Sequence, residues 1–357
     1  MKSGAANFLN VFKMISMKKI LMSCLLLSGI VTVWAQQKPY YTQYILNNYI
    51  LNPALSGIES YIDAKLSYRN QWSGIDGAPV TTYFSIQGPL GSNEDRTTAT
   101  SFGKSGVNVR GTDLSAEYTT PPKHGGVGLQ LINDKTGYIN RFSVYASYAY
   151  HMPLGPKTAV ALGFMGGVTN VSLDRSKITL WDPNDPAIGY NNGELKKLMP
   201  EIGAGVWLYG SQYFLGGSVL NIVPGKAKFV KNAKYSNAFA PIFFLTGGYK
   251  FYLNDEMSIL PSVLLQSVSA QPLETHINAK IQYEDLVWFG GSYRISDQLG
   301  GIAAMAGINI GKSINIGYAY DISTSSRLRT YTKNTHEIII GFLLNNKYGD
   351  SCPRNVW

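Results

Sequence analysis

Ile62-Asp63-Ala64-Lys65-Leu66-Ser67-Tyr68-Arg69-Asn70-Gln71 alternates without a break. Ile62, Ala64, Leu66 and Tyr68 fall on one face. Asp63, Lys65, Ser67, Arg69 and Gln71 fall on the other. A strand sends successive side chains to opposite faces, so period two predicts one apolar and one polar surface. The following residues, Asn70 to Pro79, hold Gly74, Gly77, Asp76 and Pro79 where a chain reverses. Tyr61 to Leu90 thus reads as two strands and a turn. In a soluble sandwich the apolar face would meet a second sheet. Here the same motif recurs to the end of the chain and leaves nothing to cover it. The expectation is a sheet closed on itself, with lipid outside and water inside.

The pattern repeats at Phe142, Val144, Ala146, Tyr148 and Tyr150 against Ser143, Ser147 and His151. It repeats again at Ile277, Ala279, Ile281 and Tyr283 against His276, Asn278, Lys280, Gln282 and Glu284. Strands are predicted at 59–71, 79–88, 125–135, 137–151, 157–172, 199–209, 211–222, 236–252, 256–267, 273–284, 286–296, 298–310, 312–322 and 334–346. The fold class is therefore all-β, a transmembrane antiparallel barrel of about 14 strands. A basic side chain on the lipid face near the midplane would cost about 2–4 kcal/mol. Asp63, Lys65, Arg69, Lys280 and Glu284 are accordingly read as lumen-facing charges.

Composition agrees. The chain has 357 residues, 15% of them charged, with 37 Gly, 24 Tyr and two Cys. Small residues and interfacial aromatics suit a membrane barrel. Girdles are expected at Tyr249, Phe251 and Tyr252, and at Tyr318 and Tyr320. Met17-Lys18-Lys19, the apolar run to Val33 and Val33-Trp34-Ala35 read as a signal peptide, so residues 1–35 are expected to be removed. Cleavage takes away Lys2, Lys13, Lys18 and Lys19 and no acid, so a net charge of +9 falls to +5. The remaining basicity is scattered and argues no nucleic-acid partner. Cys352 would be the one cysteine left, which excludes an intrachain disulfide. The four His show no metal-ligand spacing, so neither a metal site nor a cofactor is expected.

Residues 36–58 form an N-terminal segment ahead of a barrel over 59–346, with a tail at 347–357. Apolar residues at 40/41, 44/45 and 49 fit one helical face that Asn52-Pro53 would end. The segment is either a short helix packed at the barrel mouth, or a plug or docking segment. Alternating loop lengths put short turns near 152–156, 210, 254–255, 284–285 and 311–312 at the end holding the termini. Long loops at 173–198, 223–235 and 323–333 fall at the other. Only 89–124 breaks the rule, and Val107-Asn108-Val109-Arg110 is the best place in it for a missed strand. Ala306 to Ser313 resembles a phosphate loop, but its glycine is out of register and its context is a hairpin. Trp181-Asp182-Pro183-Asn184-Asp185-Pro186 reads as proline-held turns sooner than a calcium site. No nucleophile elbow is present, so no catalytic residues are expected.

Arg69-Asn70-Gln71-Trp72, Gly74 and Asp76-Gly77-Ala78-Pro79 together resemble the signature of the PorP/SprF family of type IX secretion and gliding-motility outer-membrane proteins. Tyr41-Thr42-Gln43-Tyr44, Asn52-Pro53-Ala54 and Gly57 extend the resemblance. So do Asn133 to Gly137, Tyr148-Ala149-Tyr150, His336-Glu337-Ile338 and Cys352-Pro353-Arg354. Leu55-Ser56 departs from the family's usual Tyr-Ala pair. The resemblance implies an outer-membrane barrel that partners periplasmic ring lipoprotein components of the secretion machinery. It further implies a barrel that holds a secreted cargo protein or adhesin at the cell surface through the cargo's C-terminal domain. Arg69, Asn70, Gln71, Trp72, Gly74, Asp76, Gly77 and Ala78 would be the cargo contact, or would simply set barrel geometry. An outer-membrane channel for small or hydrophobic solutes is the alternative.

Overall fold

The computed structural model describes residues 41–91, 120–174, 195–223, 225–227, 237–254, 256–268, 271–284, 286–296, 300–311, 313–324 and 330–346. The expected strand at Val107 to Arg110, the turns around Trp181, the 1–35 leader and the tail with Cys352 lie outside them. Fourteen antiparallel strands close into one barrel. They are β1 (Ile62–Asn70), β2 (Val80–Leu90), β3 (His124–Thr136), β4 (Ile139–Gly155), β5 (Thr158–Leu173), β6 (Leu195–Tyr209) and β7 (Tyr213–Leu220). Then come β8 (Ile242–Tyr249, resumed at Phe251–Tyr252), β9 (Met257–Val268), β10 (Glu274–Tyr283), β11 (Val287–Ile295), β12 (Gly301–Ile310), β13 (Ile314–Ser323) and β14 (Thr335–Leu344). Each strand pairs with its neighbour in sequence, and β1 pairs with β14 from Ile62↔Leu344 to Asn70↔His336. Closure leaves no edge strand, so the backbone ladder runs right round the wall, as a bilayer demands.

The two faces follow the alternation. Along β10 burial switches at every residue, from buried Glu274 to exposed Tyr283. On β1, Ile62, Leu66 and Tyr68 face outward and exposed, while Asp63, Lys65, Ser67 and Arg69 face inward and buried. Leu66→Lys, at mid-strand on the lipid face, is expected to cost about 2–4 kcal/mol. Urea unfolding of vesicle-inserted protein measures it. The same charge one residue earlier, at Lys65, already sits on the inward face.

Three expectations need correction. β4 runs on through the expected turn at 152–156, with a register shift between Pro153 and Gly155, and the reversal falls at Pro156-Lys157. β6 begins at Leu195 and not at 199, whereas the turn at Gly137-Tyr138 is tight, as the expected strands 125–135 and 137–151 require. Pro200 inside β6 blurs the strand signal there, and the positive φ of Gly137 permits the tight reversal. Most consequentially, the lumen is not filled with water. Inward-facing Trp207, Trp288 and Phe214 are buried, and Trp207 stacks on Phe214 with centroids 5.1 Å apart. Alternation separates the faces of a strand but does not say what the inner face meets.

Candidate functional site: a lumen plug and its anchors

Residues 41–61 occupy the lumen. The segment makes three 3-10 turns, Gln43–Leu46, Asn48–Ile50 and Pro53–Leu55, and no α-helix. Asn47 (φ −145°, ψ 64°) and Asn52, which is extended (φ −141°, ψ 113°), both leave the helical region and break any longer helix. Asn52 caps the last turn, accepting from the Ala54 amide at 3.0 Å, with Pro53 in its first position. Tyr44, Ile45, Tyr49, Leu51, Leu55 and Ile58 pack with the lumen aromatics into one core. Burial of each apolar side chain contributes about 1.5–3 kcal/mol.

Polar contacts fix the segment to the wall on all sides. Asn47 donates to Ser85 on β2 at 2.9 Å, and Gln130 on β3 donates to the Tyr49 carbonyl at 2.9 Å. The Tyr49 hydroxyl lies 2.6 Å from Ser147 Oγ on β4. Asn52 donates to the carbonyls of Val206 on β6 and Gly217 on β7 at 3.0 and 3.2 Å. Asn278 on β10 donates to the Tyr44 hydroxyl at 2.6 Å. Two wall glycines clear the path. A Cβ on Gly163 would lie 2.3 Å from Ala54 N, and one on Gly126 would lie 2.1 Å from the Ser56 carbonyl oxygen. A cavity of about 40 Å³ remains beside the plug, lined by Tyr41, Tyr44, Gln130, Phe244 and His276. It has room for a few waters at most.

The plug's leading end is held by a buried ionic cluster. Arg69 on β1 donates to Glu337 on β14 at 2.9 Å and approaches Asp321 on β13 at 3.5 Å. Arg294 on β11 reaches the same Asp321 oxygen at 3.0 Å. Two cations meet two carboxylates, so the buried charge balances. Thr42 is drawn into the cluster. Its amide donates to Glu337 at 2.8 Å, its hydroxyl donates to Asp321 at 3.1 Å, and Arg69 donates to that hydroxyl. Gln43 donates to the Glu337 carbonyl at 2.7 Å. From this cluster, near the far ends of β1 and β13, the plug runs to Gly57 beside His124, the first residue of β3.

Dispersed pieces of the signature thus converge. Thr42, Gln43, Asn52 and Gly57 lie on the plug; Arg69 and Glu337 hold it. The turn after β1 is sewn into the rim. Ser73 donates to Asn334 at 2.8 Å, Lys333 donates to Ser73 at 2.7 Å, and Gly137 donates to Gly77 at 2.8 Å. Trp72 has φ 54° and Gly74 φ 92°. Of the expected contact residues, Arg69 and Gln71 are buried inside, so neither belongs to a surface. Asn70, Trp72 and Ala78 are half-buried, and Gly74, Asp76 and Gly77 are exposed.

Of the expected lumen charges, Asp63 and Lys65 pair inside, and Lys280 lies 5.3 Å from the Trp288 ring centroid. Glu284 is a correction. It sits exposed in the turn after β10 with φ 45°, because the strand ends at Tyr283. The plug's occupancy of the lumen left only a weak trace in the sequence. Large inward-parity residues such as Trp207 and Trp288 are out of place against water.

Closed strands, an apolar outer belt and a packed lumen define an outer-membrane β-barrel. Residues 33–342 match the family described as "Type IX secretion system membrane protein PorP/SprF". The chain belongs to that family and is a type IX secretion outer-membrane barrel. No curated protein matches it. Among solved structures it is similar to the Ralstonia pickettii toluene transporter TbuX, at 10% identity and TM-score 0.48, over 84% of this chain and 92% of that one. It is also similar to the Acinetobacter baumannii outer membrane protein Omp33, at 8% identity and TM-score 0.43, over 81% and 100%. A Pseudomonas aeruginosa FadL homologue matches at 9% identity and TM-score 0.41, over 88% and 96%.

Proposed function

We propose that this barrel works by its rims and not through its channel, holding a secreted cargo protein or adhesin at the cell surface by the cargo's C-terminal domain. The observation that carries this reading is the occupied lumen. Among the described residues, a segment packed among aromatics and bonded to strands around the wall fills the lumen in the way of any solute. The rim with the Trp72–Ala78 turn then faces outward, with Asn70, Trp72, Gly74, Asp76, Gly77 and Ala78 at the cargo contact. The end where β1 begins and β14 finishes faces periplasmic ring lipoprotein components. The mechanism is binding without turnover, and the family is one of secretion-system barrels.

Crosslinking in intact cells followed by purification of the barrel tests the proposal. One surface protein, joined through its C-terminal domain, and a periplasmic lipoprotein are the expected products. Purified wild-type protein in planar bilayers should give no conductance steps. Steady conductance by the intact chain, with no cargo crosslink, would transfer the assignment to a solute channel.

A further inference from the structure

Where the plug leaves the lumen, His124 and His151 face each other across the β3–β4 ladder as register partners. Their rings are parallel to within 3°, with centroids 4.5 Å apart, and both are buried. His124 Nδ1 lies 2.9 Å from the Pro122 carbonyl oxygen, and its Nε2 lies 3.1 Å from the Gly57 carbonyl oxygen. A carbonyl oxygen only accepts. Both ring nitrogens therefore have to donate, and an imidazole carries two N–H groups only when protonated.

His151 has different partners. Its Nε2 lies 2.8 Å from the Ser56 carbonyl oxygen and donates to it. Its Nδ1 lies 3.0 Å from the Tyr209 hydroxyl, which can donate in turn. A neutral ring satisfies both contacts. Stacking a neutral ring on a charged one places a cation over a π face, whereas two imidazolium rings at that distance would repel. The pair thus clasps two successive plug carbonyls, Ser56 and Gly57, where the chain turns through φ +74° at Gly57.

We propose that the stacked His124–His151 pair is a proton-dependent latch on the plug. With His124 an imidazolium, both of its carbonyl contacts are hydrogen bonds. Loss of one proton sets a ring lone pair against a carbonyl oxygen, and the exit at Gly57 loosens. Groups hydrogen-bonded to the pair include the Tyr209 hydroxyl on β6 and the carbonyls of Ser56, Gly57 and Pro122. Ionisable groups at the same end include Lys123 beside His124, Lys157 in the turn after β4, buried Glu59 on the plug's exit and the Asp63–Lys65 pair on β1. The sign follows: the latch is closed below the titration of His124 and weakens as pH rises through it. The inference rests on the plug alone and is independent of the cargo reading.

Hydrogen–deuterium exchange of the intact barrel in lipid nanodiscs tests it. The amides of Ala54, Leu55, Ser56, Gly57 and Ile58, all hydrogen-bonded, are the readout. After correction for intrinsic exchange, protection should be roughly tenfold greater at about pH 5.5 than at about pH 8.5. His124→Gln should give low protection at both, and His151→Gln should keep the pH dependence. Wild-type protection that is flat with pH overturns the latch, as does a His124→Gln barrel with the wild-type profile. Should the variants fail to insert, the wild-type comparison decides by itself.

Discussion

Arg69→Ala destabilises the folded barrel by about 3–5 kcal/mol, the loss expected when one partner of a buried ion pair is removed. Glu337 is fully buried and would keep only hydrogen bonds from Thr42, Gln43 and Ser67. Asp321 would retain Arg294. The cost is therefore that of one stranded carboxylate, in a place where water cannot solvate it. Adding Glu337→Gln to Arg69→Ala should recover part of the loss, since the pair is coupled and the stranded charge is gone. Equilibrium unfolding in vesicles, followed by tryptophan fluorescence and by migration of unheated samples on gels, measures both variants. A loss below about 1 kcal/mol for Arg69→Ala would mean that the cluster is solvated and holds nothing.

Excising residues 42–55 turns a sealed barrel into a conducting one. The segment contributes Tyr44, Ile45, Tyr49, Ile50, Leu51 and Leu55 to the interior, all buried. Each forfeits about 1.5–3 kcal/mol of burial when lost, so the truncated barrel is also markedly less stable. Its wall hydrogen bonds lie between strands and survive the excision, so the cylinder still closes. Planar-bilayer recordings should show discrete steps for the truncated protein and none for the full chain. Identical silent traces would show that wall side chains alone fill the lumen.

The barrel was legible because period two is a local property. Ile62 to Gln71 and Thr275 to Tyr283 each declare two faces within ten residues, and a membrane leaves one way to satisfy both. Arg69 could be placed on the inner face for the same reason. Its partner could not be named. Glu337 lies 268 residues away, and the two meet only because the last strand closes on the first. The helical face expected within the plug segment does not form, for a related reason. The apolar spacing at 41, 44, 45 and 49 serves equally well a chain of 3-10 turns touching different strands in succession. Nothing local distinguishes one groove from many. Gly126 and Gly163 likewise look like ordinary strand glycines until the Ser56 and Ala54 backbones are seen against them.

By itself, the order of residues determined a closed antiparallel wall, its number of strands, and which side chains face lipid. These follow from steric alternation along each strand and from the need to pair every backbone amide inside a bilayer. Only the tertiary structure decided that the inner face meets protein and not water. It also decided that Arg69, Glu337, Asp321, Arg294 and Thr42 form one cluster, and that two histidines close on the plug's exit. Those outcomes depend on distances between residues far apart in the chain, which barrel closure brings together and no local pattern encodes.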